Sequence, residues 1–220
     1  MFRFRKTETL QTLLGKVQRN AVALFLTYAV FIGLGIHALL SQYNEIAYII
    51  ALFCTPLLLL IFILLSTRYI YHKNNSYSLL AHRKSSSSLE PFEKSFSKAN
   101  LVGSRLASDT LYIFSLTSSF YIPYAIPIQQ ISVAYFMRSP YKKHRNSRVL
   151  YLILENNAFY ALPMGATSDS TFILKENILS SLKEIRPSLL VGYVDAFTPP
   201  KTLAQWKRVQ AKKSTDHSTP

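Results

Sequence analysis

The pattern of apolar and polar positions changes character twice along the chain, near residue 67 and again near residue 99. Ala21 to Leu40 reads AVALFLTYAVFIGLGIHALL and Ala47 to Ser66 reads AYIIALFCTPLLLLIFILLS, two runs without a Lys, Arg, Asp or Glu. At 1.5 Å per residue such a run crosses about 30 Å of hydrocarbon, so each predicts a transmembrane helix. The link from Ser41 to Ile46 carries Tyr43 and Glu45 and leaves room only for a tight helical hairpin. A removable signal peptide does not fit, because the first run is too long and a second follows at once.

Residues 67 to 98, TRYIYHKNNSYSLLAHRKSSSSLEPFEKSFSK, are polar and basic and include the Ser85 to Ser88 tract. They predict a juxtamembrane linker with one short helix near Leu89 to Lys98. From Leu101 onward short runs rich in Tyr, Ile, Phe and Val fit a pleated surface. The expected strands are Leu101 to Leu106, Thr110 to Leu116, Ser119 to Tyr124, Ile131 to Arg138, Arg148 to Glu155 and Ala158 to Leu162. Asn156-Asn157 suits a two-residue hairpin, since Asn tolerates positive φ. RVLYLILE, from Arg148, is apolar on both faces and predicts a central or fully covered strand. A helix is expected from Thr171 to Ile185, with Leu174, Ile178, Leu182 and Ile185 on one stripe and Pro187 ending it. The fold class that follows is an α+β membrane protein, a helical hairpin followed by a small antiparallel sheet or barrel capped by one α-helix.

Composition supports the hairpin. Of the 220 residues 49% are hydrophobic and only 16% charged, below the quarter usual in soluble domains. The single cysteine, Cys54, excludes an intramolecular disulfide framework and a Cys-based zinc site. The net charge is +14, with a pI near 9.9, which implies attraction to nucleic acid or to an anionic bilayer surface. Its distribution favours the bilayer, because every Lys and Arg lies outside Asn20 to Thr67. Arg3, Arg5, Lys6, Lys16 and Arg19 precede the hairpin and Arg68, Lys73, Arg83 and Lys84 follow it, so the positive-inside rule puts both termini in the cytoplasm. Tyr43, Tyr48, Tyr69 and Tyr71 fall near the span ends, where amphipathic rings prefer the interface. His37, with no acid or second His within the spans, reads as structural or interfacial. Gly33 and Gly35 allow close packing without a GxxxG seam. Pro56 is expected to bend the second span and free a carbonyl.

The stretches Leu101-Val-Gly-Ser104, Leu111-Tyr-Ile-Phe-Ser115, Phe120-Tyr-Ile-Pro123, Ile128-Gln-Gln-Ile131 leading to Ala134-Tyr-Phe-Met137, and Pro187-Ser-Leu-Leu-Val-Gly-Tyr193 carry a resemblance. The chain resembles bacterial membrane-anchored proteins of unknown function that carry one PH-like domain behind a two-helix hairpin. The resemblance covers about residues 100 to 195 and the hairpin; the serine-rich linker departs from the regular helical linker of that pattern. It implies a PH-like fold and a bacterial inner-membrane location, and brings no activity with it. The implied organisation is a basic N-terminus over 1–20, the hairpin over 21–66, the linker over 67–98, the PH-like domain over 99–198 and a basic tail over 199–220.

Sequence support for catalysis is thin. The domain's acids are Asp109, Glu155, Asp169, Glu176, Glu184 and Asp195, its only histidine is His144, and no phosphate loop, dinucleotide turn, nucleophile elbow or zinc motif occurs. No enzyme, metal or cofactor is therefore expected, with a membrane-bound enzyme as the least favoured alternative. The candidate binding element is the loop Arg138-Ser-Pro-Tyr-Lys-Lys-His-Arg-Asn-Ser-Arg148, whose Arg138, Lys142, Lys143, Arg145 and Arg148 can engage phosphate oxygens of anionic headgroups. The plain alternative is a solvated turn. In the tail Leu203, Trp206 and Val209 recur at three-residue spacing beside Lys207 and Arg208. That pattern fits either a helix lying in the headgroup layer or a frayed polar end. Nucleic acid is disfavoured, since no stacking platform or recognition motif accompanies the charge. The expected function is a membrane-anchored binding or scaffold module whose partners are the bilayer, anionic headgroups or another protein. The rival is a homo-oligomeric channel or transporter subunit, which size in detergent would separate.

Overall fold

The stripe Leu10, Leu13, Leu14, Val17 and Ala21 starts the first helix well before the apolar run. Helix α1 spans Leu10–Ser41, and these five side chains are its buried positions. Its first turn is capped from two directions. Thr9 Oγ1 accepts the Thr12 N–H at 3.2 Å, and Glu93 Oε1 accepts the Leu10 N–H at 3.0 Å, placing a carboxylate at the positive end of the helix. The structure is a computed structural model and describes residues 4, 9–41, 45–83, 86–117, 120–138, 149–164, 171–195 and 198–216, without the side chains of 86–88, 138, 171–174, 195 and 212–216.

Helix α2, Glu45–Lys73, runs back along α1 and continues through Pro56. The helices have 32 and 29 residues, about 48 and 44 Å at 1.5 Å per residue, and are long and apolar enough to cross a membrane. Among the described residues, all the exposed large hydrophobics except Leu101 and Leu111 lie on this hairpin. The helices meet closely at Gly35, where a Cβ would collide with Thr55 Oγ1 and lie 3.2 Å from Thr55 Cβ; Gly33 faces open space.

The segment expected as a linker is folded. After α2 come α3, Leu79–His82, and α4, Ser86–Lys98. Leu79, Leu80, Leu89 and Phe96 are buried in one core with Leu10, Leu13, Leu14 and Val17 of α1 and with Ala107, Phe114, Leu116, Phe120 and Ile122. The apolar residues spaced through a polar stretch thus glue the base of the hairpin to the sheets.

The first sheet is an antiparallel meander of β1 (Asn100–Gly103), β2 (Leu106–Ser108), β3 (Tyr112–Leu116) and β4 (Pro123–Pro127). The single strand expected over Leu101 to Leu106 is two, because the chain turns at Ser104-Arg105. The strand expected from Ser119 begins only at Pro123. The Thr117 N–H donates to the Ile122 carbonyl at 3.1 Å, the Ile122 N–H to Thr117 Oγ1 at 3.0 Å, and Tyr121 takes φ 54°. The free edge of β4 is partly covered where Tyr77 O accepts the Ala125 N–H and Ser78 bridges Tyr124.

The second sheet holds β5 (Ile131–Arg138), β6 (Val149–Leu154) and β7 (Phe159–Pro163), followed by α5 (Thr171–Ile185) and β8 (Leu190–Asp195), in the order β7-β6-β5-β8. β5, the central β6 and α5 follow the sequence expectation. The β6–β7 connection is one residue longer than expected: the Leu154 N–H donates to Ala158 O, leaving Glu155 to Asn157 as the loop, with Asn157 at φ 61°. β8 lies outside the expected strands and makes the sheet mixed by pairing parallel to β5. The two sheets are hydrogen-bonded separately, so the strands form no closed barrel among the described residues. Arg186, just past α5, donates to the carbonyls of Ile131 at 2.8 Å and Gln129 and pairs with Glu155 at 2.6 Å, fastening that helix to the link between the sheets.

Side chains alternate along β5. Ala134 and Phe136 enter the core shared with the first sheet and α5; Val133, Tyr135 and Met137 face a further core on the other side. That outer face is covered by α6, Leu203–Asp216.

Candidate functional site

Of the basic loop, the structure places only Arg138, as the last residue of β5, in register with Asp195 of β8. Lys142, Lys143, Arg145 and Arg148 lie outside the described residues. In the tail, Trp206 is 9% exposed and packs with Val133, Tyr135, Met137, Ile153 and Val194, flanked by Leu203 and Val209. The three-residue stripe is therefore turned onto the second sheet, while Lys207 and Arg208 are exposed on the opposite side of the helix. Tyr135 reinforces this seat by donating its hydroxyl to Pro200 O at 2.6 Å. His37 is exposed on α1.

A cavity of about 390 Å³ lies where α2 ends. It is lined by Tyr71, His72 and Asn75 from α2 and its exit, Ser115 and Thr117 from β3 and its end, Tyr124 from β4, and residues 158–163 along β7. Ser115 and Tyr124 are cross-strand partners and so share one face of the sheet. His72 Nδ1 and Tyr124 Oη are 2.8 Å apart, and Tyr160 Oη lies 3.2 Å from both Asn75 Oδ1 and Asn75 Nδ2. Asn75 Oδ1 also accepts the Tyr77 N–H at 3.0 Å, which fixes the turn after α2. Burial, with Tyr160 and Tyr71 nearby, raises the Tyr124 pKa well above the ordinary phenol value. Burial likewise raises that of Tyr160, against the smaller opposing effect of its Asn75 hydrogen bond. Both phenols stay protonated at neutral pH and keep a donor each.

Among the described residues, the wall carries no Lys, Arg, Asp or Glu. It offers neutral hydroxyl, amide and imidazole groups between aromatic rings. A second cavity of about 410 Å³ lies between β1, β2 and α5 and includes Lys98 and Asp109. Its carboxylate is already engaged, accepting from Ser95 Oγ and from the N–H groups of Leu111 at 2.9 Å and Tyr112 at 2.7 Å. Among the described residues no three His, Cys, Asp or Glu side chains are grouped to hold a metal ion.

No motif spacing would have revealed the first cavity, because its lining comes from α2, β3, β4 and β7, far apart in the chain. The one signal in the sequence was polar, aromatic Tyr71-His72 at the end of an apolar helix. The chain matches no protein-family model, no curated protein and no solved structure.

Proposed function

We propose that the protein is a two-span, membrane-anchored binding module without enzymatic activity, with both termini in the cytoplasm and a PH-like domain held against the headgroups. The observation that carries this reading is the single core joining Leu10, Leu13, Leu14 and Val17 of α1 to Phe114, Leu116, Phe120 and Ile122 of the sheet region. A domain fused to the base of an exposed apolar hairpin keeps a fixed orientation to the bilayer, so weak surface contacts act at high effective concentration. The PH-like part of the proposal is supported by a four-stranded meander, a three-stranded meander and then a helix in chain order. The added parallel β8 and the separate sheets depart from a simple barrel.

The test uses the whole chain, because a fragment beginning at residue 99 would lose α1, α3 and α4 from the core. Reconstituted in nanodiscs of mixed phosphatidylglycerol and phosphatidylcholine, it should retain the anionic lipid on native mass spectrometry. Replacing Lys142, Lys143 and Arg145 together by Gln should reduce that retention, and equal retention by the two proteins would sink the loop's role. Insertion has its own readout. Cys54, exposed on α2, should resist a membrane-impermeant maleimide in intact membranes and react after solubilisation; ready labelling in both states would remove the two-span reading.

A further inference from the structure

The cavity at the end of α2 contains a polar group that the fold leaves unsatisfied. Ser115 is 1% exposed, and its hydroxyl has no hydrogen-bond partner among the described residues. The side chain shares a sheet face with Tyr124, and both residues line the cavity. A buried hydroxyl without a partner destabilises the protein that carries it. A ligand that supplies the missing bond offsets that cost.

We propose that this cavity binds a neutral, hydroxyl-rich group, a sugar or polyol ring that is either free or the headgroup of a glycolipid. Among the described residues, the uncharged wall gives a phosphate no cation and an ammonium no carboxylate to replace its hydration. Hydroxyl ligands both donate and accept, as do Ser115, Thr117, Asn75 and His72 taken together. The rings of Tyr124, Phe159 and Tyr160 provide apolar surface for the C–H face of such a ring. A trimethylammonium group would use those rings too, but it would leave Ser115 unpaired. At about 390 Å³ the space lies near the lower end of small-molecule sites, which run from about 300 to 1,000 Å³, and accommodates one ring rather than a whole lipid. The glycolipid source rests on the membrane reading above; the hydroxyl chemistry does not.

The experiment has two arms on the full chain. Purified in a detergent without sugar, the protein is mixed with methyl glucoside and observed by saturation-transfer NMR. In parallel, nanodiscs of phosphatidylcholine with a monoglucosyl diacylglycerol are examined by native mass spectrometry for the lipid retained. Ser115→Ala should weaken binding about fivefold, the value of one neutral hydrogen bond. It should not lower the thermal midpoint measured without glycoside, because the removed hydroxyl had no partner. Tyr160→Phe, which keeps the ring, is the second variant should Ser115→Ala misfold.

Saturation transfer in detergent supports a free polyol, and preferential retention of the glucosyl lipid supports a headgroup. Absence of both signals in the parent protein overturns the proposal, as does binding that both variants leave unchanged. Failure to enter nanodiscs counts against the membrane reading alone, since the detergent arm still decides the cavity.

Discussion

Phe25 of α1 and Phe120, shortly before β4, stack with ring centroids 6.1 Å apart and planes inclined by 30°. Phe120 also meets Tyr69 of α2 edge-on at 5.3 Å, and Phe25 meets Phe62 and Tyr69 at 5.7 and 5.5 Å. One side chain from the sheet region therefore touches both long helices. Phe25 stands about 6 Å along α1 from Ala21, at the rise of 1.5 Å per residue, so this contact lies at the foot of the apolar hairpin.

Phe120 is 8% exposed, and Phe120→Ala should cost about 3 kcal/mol, the usual loss for a buried phenylalanine. Thermal unfolding of the full chain should show the shift, and limited proteolysis should show cleavage at the β3–β4 turn. A midpoint equal to that of the parent protein would mean that the ring does not couple the two parts.

Gly35 and Gly33 should respond differently to alanine. At Gly35 the new Cβ meets the Thr55 side chain, and at Gly33 it meets nothing within 4 Å. Overpacking of this kind costs about 1–3 kcal/mol. Gly35→Ala should lower the midpoint, Thr55→Ala should rescue it, and Gly33→Ala should be neutral. Equal effects at the two glycines would remove the close crossing.

Alkali should unfold the protein through its buried phenols. Burial raises the pKa of Tyr124, Tyr135 and Tyr160 above the ordinary value, with neighbouring tyrosines adding to it at each. The unfolded chain releases these protons first, near pH 10. Their stabilising contribution is therefore complete below that pH and is lost as pH rises towards the folded-state values. Denaturant titrations should show stability falling above about pH 10, with late phenolate absorbance appearing together with unfolding. All tyrosines ionising at their ordinary pH in a still folded protein would contradict the burial.

Trp206 is the only tryptophan, so its fluorescence reports α6 directly. Packed on the second sheet, it should emit at short wavelength, resist acrylamide and remain unchanged when anionic lipid replaces neutral lipid. A shift with lipid charge would show α6 leaving the sheet for the headgroups. Trp206→Ala should cost about 3 kcal/mol in thermal unfolding.

Elements with a long, regular pattern were legible before the structure. The two apolar runs, Ile131 to Arg138, the covered strand around Val149–Leu154 and the helix over Thr171–Ile185 all lie where their periodicity put them. The first turns of α1 also follow helical spacing at Leu10, Leu13, Leu14 and Val17, but Lys16 and Arg19 break the apolar run there, so hydropathy alone starts the helix at Ala21. Leu79, Leu80, Leu89 and Phe96 are too sparse in a serine-rich, basic stretch to announce a core. Their burial depends on partners elsewhere in the chain. β8 was unreadable for the same reason, since Leu190–Asp195 becomes a strand by pairing with β5 across a crossover helix. Ser115 and Tyr124 likewise acquire their site through sheet register, which residue identity alone does not carry.

Helix α1 passes without interruption from the core, at Leu10 to Val17, into the exposed apolar stretch beyond Ala21. It therefore acts as a shaft with a fixed angular phase. At 3.6 residues per turn, one residue inserted after Val17 would rotate everything beyond it by about 100° relative to the sheets, and four residues would bring it back to within about 40° of the original phase. Twist or tilt imposed on the hairpin is delivered to the folded base as torque, and a change in the packing of that base turns the hairpin in return.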